Sequence, residues 1–447
     1  MAETIVKITE LIDRPALGPF QKRVALLCAS IVFVEGFNTQ AAGYVAPALA
    51  RNLHLTPAGL GEFFAAGLFG LLLGAMFVAP LADRVGRRPL LLGCVPFLAL
   101  CAIATAFSTS ALMLDGARFL TGLGIGGAMP NAIALTSEYS PHHRRSLLVA
   151  LMFTGFVLGA VAVGLVSTFL VPVLGWQSIF IIGGVLGLLL TPVLFYALPE
   201  SIRFLVVRGT SNRTVAGLVR RLDPNLTDAP DMRFVIDETP HAAISVLALF
   251  RDGRAKRTIL LWIIYFMSLL DLFLLASWLP TEMQALGVSA GLAIIIGALL
   301  QFGGVFGLVF GWLADRLGAS SSLGLAFFMG AACVAGIGLA GANLPLVMLA
   351  VFGTGVGLIG GQSVTNATAA IAYPTEIRST GVGWATGIGR IGSIIGPSLA
   401  AWMHTMNVAI ETIFLLAAIP ALCAAVAGAA LGPVRTAIIT RAAPAVP

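Results

Sequence analysis

Charge is the scarcest thing in this chain. Of its 447 residues only 10% are Asp, Glu, Lys or Arg, where an ordinary soluble domain carries about a quarter, and 58% are hydrophobic. A water-soluble fold has no interior large enough to hide that apolar surface. A bilayer can act as its solvent, because a helix satisfies its own backbone hydrogen bonds and crosses hydrocarbon without unpaired peptide groups. Cysteine is also sparse: Cys28, Cys94, Cys101, Cys333 and Cys423 fall in apolar stretches without metal-ligand or disulfide-framework spacing, and read as small buried hydrophobes. The basic excess, a net charge of +6, lacks the continuous patch that nucleic acid needs, so no nucleic-acid partner is expected. The first 22 residues lack the short apolar core and small-residue cleavage site of a signal peptide, so the first apolar run is expected to be retained as a helix.

What the chain has is long apolar runs. A spanning helix needs about 20 apolar residues, and runs of that size begin near Val24, Gly59, Leu90, Ala111, Leu147 and Ser178, then near Thr258, Ala290, Ser321, Leu344, Gly381 and Thr412. The expected fold is an all-α polytopic membrane protein with twelve transmembrane helices in two six-helix bundles. A segment 1–22 leads into a bundle 23–199; a linker 200–257 with short amphipathic helices joins it to a bundle 258–434 and a tail 435–447. Arg84, Arg87, Arg88, Arg144, Arg145, Arg316 and Arg378 sort with both termini and the linker, and Arg51 falls opposite. Basic loops stay on the cytoplasmic side, which places both termini in the cytoplasm of a plasma (bacterial inner) membrane.

The sequence also repeats. Leu81-Ala82-Asp83-Arg84-Val85-Gly86 returns as Leu313-Ala314-Asp315-Arg316-Leu317-Gly318, and Pro47 returns as Pro280 at an offset only one position longer. Two parallel halves related in this way describe a carrier that rocks about a central site. Ala79-x-Leu81-Ala82-Asp83-Arg84-x-Gly86-Arg87-Arg88 resembles the loop signature of the major facilitator superfamily, with Ala79 where the family usually has Gly; the second copy, Gly311 to Gly318, keeps the Gly and loses the trailing basic pair. Glu35-Gly36-Phe37-Asn38-Thr39-Gln40, Arg118-Phe119-Leu120-Thr121-Gly122 through Pro130-Asn131, Trp278-Leu279-Pro280-Thr281 and Gly389-Arg390-Ile391-Gly392 are similar to the aromatic acid:proton symporters. The resemblance implies alternating-access symport of a small aromatic or related organic anion with H+, driven by the proton gradient with no other cofactor, by a functional monomer in the lipid bilayer. That family's first-helix motif is acidic, Gly, any residue, acidic; Asn38 stands where the second acid would be.

Ionisable groups in hydrocarbon cost several kcal/mol and face a cavity or a partner. Those within or near the spans are Glu35, Asp115, Arg118, Asp271, Arg390 and His404. A carboxylate substrate needs a fixed cation, and Arg offers a planar fork for it. Arg390, among Gly387, Gly389 and Gly392, is the first candidate, with an interhelical ion pair as the structural alternative. Arg118 matches a basic position in the family's fourth-helix pattern, but it follows Asp115 by one helical turn, good spacing for a local ion pair, so substrate binding and structure weigh equally. Phe37, Asn38, Gln40 and Trp278 complete the candidate substrate site.

Glu35 has no basic residue one turn away, so burial favours its neutral form and makes it a proton-coupling candidate. Asp271, which the offset between Pro47 and Pro280 places opposite Asn38 in the repeat, is the second, in proton binding or in pairing with Arg390. Asp83, Arg84, Arg87, Arg88, Glu138, Arg144 and Arg145, with Asp315, Arg316, Glu376 and Arg378 in the second half, are candidate gating charges that pair in one conformation and part in the other; plain orientation by positive charge is the alternative. Trp176 and Trp402 read as interface anchors.

The runs Gly122-x-Gly124-x-Gly126-Gly127 and Gly353-x-Gly355-x-Gly357 follow no strand and precede no Lys-Ser/Thr, so they are close-packing helix surfaces rather than phosphate loops. No catalytic constellation is present, and an enzyme is not expected. Three rivals stay open. Pro199-Glu200-Ser201-x-Arg203 suggests a sugar or polyol carrier, and Gly155 and Gly164 match half of a drug:proton antiporter signature before it stops at Thr168-Phe169. A transporter-like sensor would be expected to add a signalling domain.

Overall fold

The protein is described from a computed structural model over residues 4–13, 17–141, 144–209, 212–222, 232–235, 246–341, 343–373 and 377–432. Twelve long helices follow one another: α1 Pro19–Leu53, α2 Pro57–Val85, α3 Arg87–Ala106, α4 Ala111–Glu138, α5 Arg145–Leu174 and α6 Gln177–Ala197. After the linker come α7 Ala255–Ala285, α8 Ala290–Leu317, α9 Ala319–Ala340, α10 Leu344–Ala372, α11 Arg378–Thr405 and α12 Ile410–Ala430. Eleven are long and apolar enough to cross a membrane. The twelfth, α11, is long enough at 28 residues, but its run of glycines around Arg390 makes it too polar to pass by composition.

Side-chain caps set several helix starts, each satisfying an N–H that has no intrahelical partner. Thr56 accepts from the Gly59 N–H ahead of α2, with Pro57 at the first helical position. Ser110 accepts from Met113 N–H before α4, and Asn343 from Leu346 N–H before α10. Ser110 and Asn343 are separated by the same offset as Pro47 and Pro280, so the repeat extends to the caps.

It extends to the packing as well. A Cβ at Gly70 on α2 would strike the carbonyl of Phe119 on α4, and a Cβ at Gly303 on α8 would strike the carbonyl of Phe352 on α10. Both residues of the contact have moved by that one offset. In each half the absence of a side chain lets two backbones touch, the packing that membrane helices use where no hydrophobic drive separates helix from lipid. Gly36, Gly155 and Gly159 do the same between α1 and α5.

The linker contains the short helices Ile202–Val207 and Asn212–Leu222 and a 3-10 turn at Val246–Phe250. Asn212–Leu222 is amphipathic: Val215 and Val219 are buried in a cluster with Ile8, Phe20, Tyr139 and Phe234. One feature departs from an all-helical reading. Strand β1, Thr4–Lys7, pairs in parallel with strand β2, Met232–Val235, with Thr4 opposite Met232. Glu376, the side chain of Arg378 and the tail 435–447 lie outside the described residues.

By internal contacts the chain forms two compact units. Unit 1 comprises Met1–Pro240, Phe273–Phe302 and Ser393–Ile413; unit 2 comprises His241–Leu272, Gly303–Gly392 and Phe414–Pro447. Helices α7, α8, α11 and, at its first residues, α12 are thus divided between them. Within unit 1, Gly43 of α1 meets the backbone of Ala276 on α7, and Gly61 of α2 meets Ala401 on α11.

Candidate functional site

Unit 1 encloses a cavity between α1, α2, α4 and the second part of α7. Its polar lining is Thr39, Gln40, Arg118 and Ser277; its apolar lining includes Phe64, Leu68, Leu71, Ile125 and Phe273. The space open to water centres is about 20 Å³, room for a water or two by that measure. Glycines make the floor: Gly122 on α4 touches the Gly67 carbonyl, and a Cβ on Gly67 would stand 3.4 Å from Nη2 of Arg118.

Arg118 is 5% exposed. Its Nη1 donates to the carbonyl oxygen of Asn38 at 3.2 Å, and its guanidinium lies 5.5 Å from the ring centres of both Phe63 and Phe180. Its Nε has no hydrogen-bond partner, and neither has Oδ1 of Asp115. The Asp115–Arg118 ion pair that the spacing suggested is therefore not made: the guanidinium reaches across to α1 instead, and no carboxylate among the described residues pairs with it.

The other expected substrate residues divide. Gln40 lines the cavity. Asn38 is fully buried but faces away, its amide nitrogen donating to the carbonyls of Val34 at 2.9 Å and Gly183 at 3.3 Å. Phe37 is buried and is not in the lining. Trp278 stands behind the wall, edge-on to Phe64, its Nε1 donating to the Pro397 carbonyl at 3.0 Å. Trp176, read as an interface anchor, is buried and donates to Oδ1 of Asn52, whereas Trp402 is exposed. Glu35 is fully buried on α1.

Arg390 belongs to unit 2 and is half-buried; Gly392 beside it lets α11 touch the Phe266 carbonyl on α7. Asp271, also in unit 2, is fully buried, and neither carboxyl oxygen has a hydrogen-bond partner. Its considered pairing with Arg390 is not formed. The same unit holds a polar row the sequence did not single out: Ser268 donates to Oε1 of Gln362 at 2.7 Å, and Tyr265 donates to Oδ1 of Asn366 at 2.9 Å.

The gating candidates of the first half gather on Arg87. It pairs with Asp83 at 3.2 Å and with Glu138 at 3.0 Å. Glu200 closes the group: its Oε1 accepts from the backbone N–H of Arg87 at 2.9 Å and of Arg88 at 3.2 Å, and Tyr139 donates to its carbonyl. Arg88 donates to the Phe195 carbonyl, and Arg84 contributes its own carbonyl to Arg208. Arg145 is half-buried with an unpaired Nε, outside this network. In the second half Arg316 stacks on Trp312 at 4.1 Å while Asp315 is exposed, so the ion-pair cluster around Arg87 has no described counterpart there.

Glu282 escaped the sequence reading because it closes an otherwise apolar run. It is 2% exposed and pairs with Nε2 of His404, on whose ring Trp278 stacks at 4.8 Å. That pair ties α7 to α11 within unit 1.

The sequence profile of the Major Facilitator Superfamily matches residues 28–251 and 261–445. The 4-hydroxybenzoate transporter PcaK of Pseudomonas aeruginosa is 39% identical over 94% of each chain. A gallate transporter of Pseudomonas putida is 36% identical over 99% of this chain and 97% of its own. The 3-(3-hydroxy-phenyl)propionate transporter of Escherichia coli is 36% identical over 85% of this chain and 86% of its own. Among solved structures, the inward-open xylose transporter XylE from E. coli superposes with a TM-score of 0.70 at 15% identity, covering 91% of this chain and 95% of that one, a likeness of fold alone. Twelve helices, an internal repeat carried into caps and glycine contacts, and relatives of this closeness place the chain in the Major Facilitator Superfamily, as an integral membrane transporter and not an enzyme.

Proposed function

We propose that the protein is a proton-coupled symporter of small aromatic carboxylates, working by alternating access. One observation carries the reading: Arg118 is a buried guanidinium on a cavity wall without a carboxylate partner among the described residues. An uncompensated buried charge is costly, and an arriving carboxylate relieves that cost with a planar, charge-assisted contact. Phe64, Phe273, Leu68 and Leu71 offer apolar surface for a ring. The named substrates of the relatives, 4-hydroxybenzoate, gallate and a hydroxyphenylpropionate, each join a ring to a carboxylate. A neutral sugar or polyol would leave Arg118 uncompensated.

Because the cavity holds only a water or two as it stands, loading requires the lining helices to part, which is the motion alternating access supplies. Asp271 and Glu35 are the proton carriers in this reading, the Arg87 cluster with Asp83, Glu138 and Glu200 is the gate, and Arg390 is a second cation for the anion's passage. Both termini and the linker are cytoplasmic, since the basic residues of the 83–88 turn and the linker share one side, and the monomer is the working unit. Proteoliposomes with an inward proton gradient test the proposal: 4-hydroxybenzoate accumulates and xylose does not. Uptake of xylose, or acid uptake indifferent to the gradient, would refute it.

A further inference from the structure

Threonine side chains inside helices have a standard outlet. The hydroxyl folds back and donates to the carbonyl four residues earlier, in one of the two rotamers a helix allows. Eight threonines in the spans do this, from Thr105 on α3 to Thr386 on α11, at 2.7–3.0 Å. Thr39 on α1 does not: its Oγ1 is buried and has no partner. Thr281 shares that lack, but it follows Pro280 and is absent from the cavity lining, whereas Thr39 is part of it.

A buried hydroxyl with no bond costs about 1–3 kcal/mol, so an unused donor in a cavity wall marks where a ligand atom belongs. Its surroundings say which atom. Arg118 Nη1 bonds the carbonyl of Asn38, the residue joined to Thr39, and Arg118 Nε is a second buried donor without a partner. Both residues line the one cavity, and Arg118 is tied to α1 at the residue next to Thr39. A carboxylate has two oxygens and about four acceptor sites, more than one guanidinium edge can fill.

We propose that Thr39 is the second anchor of the substrate's carboxylate, its hydroxyl completing with Arg118 a seat for the acid group. The inference rests on the anion-carrier reading above. Because Thr39 and Arg118 line the same cavity, the hydroxyl is assigned to the acid group that all substrates share and not to a ring substituent.

The test measures binding of 4-hydroxybenzoate and of benzoate to the purified full-length protein by calorimetry. Thr39→Val keeps the volume and removes the donor; Thr39→Ser keeps the donor. Loss of a hydrogen bond to a charged group is expected to weaken both acids alike by about tenfold or more in Thr39→Val, with Thr39→Ser near the wild type. Unchanged affinity in Thr39→Val overturns the proposal. A loss confined to 4-hydroxybenzoate also overturns it, because Thr39 then reads the ring hydroxyl; so does an equal loss in Thr39→Ser, which assigns the effect to packing. If the wild type binds neither acid, the carrier reading itself falls; if it binds both and Thr39→Val binds them equally well, only the role of Thr39 falls.

Discussion

Arg118→Met separates a binding charge from a structural one. Methionine keeps an unbranched side chain of similar reach and removes the cation. In the resting protein Arg118 makes one bond, to the Asn38 carbonyl, and lies near two phenyl rings. Losing the bond costs about 1.5–3 kcal/mol for a charged donor, and losing the ring contacts up to about 2 kcal/mol. Against this stands the desolvation of a buried guanidinium, on the order of several kcal/mol, which an apolar replacement removes. The unliganded variant is thus expected to melt at the wild-type temperature or above it. Binding goes the other way. A desolvated carboxylate deprived of its partner cation loses about 2–5 kcal/mol, a drop in affinity of about 30-fold to several thousand-fold. Thermal unfolding with and without 4-hydroxybenzoate, with calorimetric binding on the same preparation, reads both quantities. A variant that melts several degrees lower yet keeps its affinity would show that Arg118 holds the helices together and that the anion sits elsewhere.

Asp271→Asn preserves shape and abolishes titration: counterflow exchange of 4-hydroxybenzoate should persist while accumulation driven by a proton gradient is lost. Retained gradient-driven accumulation would assign the proton to another carboxyl, Glu35 first. For buried Glu282 and half-buried His404, paired across α7 and α11, each single change to Gln should lower the melting temperature, and the double variant should cost less than both together, by about 1 kcal/mol or more. Strictly additive losses would mean that the pair does not act as a unit.

The spans were legible because apolar length is what a bilayer demands, and the repeat was legible because it is written in identical residues around Asp83 and Asp315. α11 is instructive in a different way. Its run from Gly381 marked it as a span, yet Arg390 and its glycines leave it less apolar than the other eleven. The cavity was far less visible. Spacing pointed to an Asp115–Arg118 pair, but spacing fixes only which residues share a helix face, and a long side chain on that face can reach a neighbouring helix instead. Asn38, read as a missing acid, is a bridge from α1 to α6: its amide donates to two carbonyls, which an ionised Asp could not do. Glu200, read as a mark of sugar carriers, holds the turn between α2 and α3 through two backbone N–H groups. The distinction of Thr39 could not be read from sequence, because it is a hydrogen bond left unmade.

In the proposed mechanism two buried groups set what moves per cycle. Arg118 in unit 1 is a cation lacking an acid, and Asp271 in unit 2 is a carboxyl lacking any partner. A monovalent aromatic acid neutralises the first and one proton neutralises the second, so the doubly loaded protein leaves neither of these two groups uncompensated, while loading either ligand alone leaves one. Each compensation acts within its own unit, so linkage between the ligands needs no direct contact; it needs only that reorientation through a low-dielectric state penalises residual charge. One acid and one proton together carry no net charge. Uptake should therefore follow the pH gradient, with each pH unit, worth about 1.4 kcal/mol, supporting at most about tenfold accumulation. It should not respond to a potassium diffusion potential imposed with valinomycin. Faster or greater uptake under an inside-negative potential would mean that more than one proton moves with each acid, and that Glu35 titrates alongside Asp271.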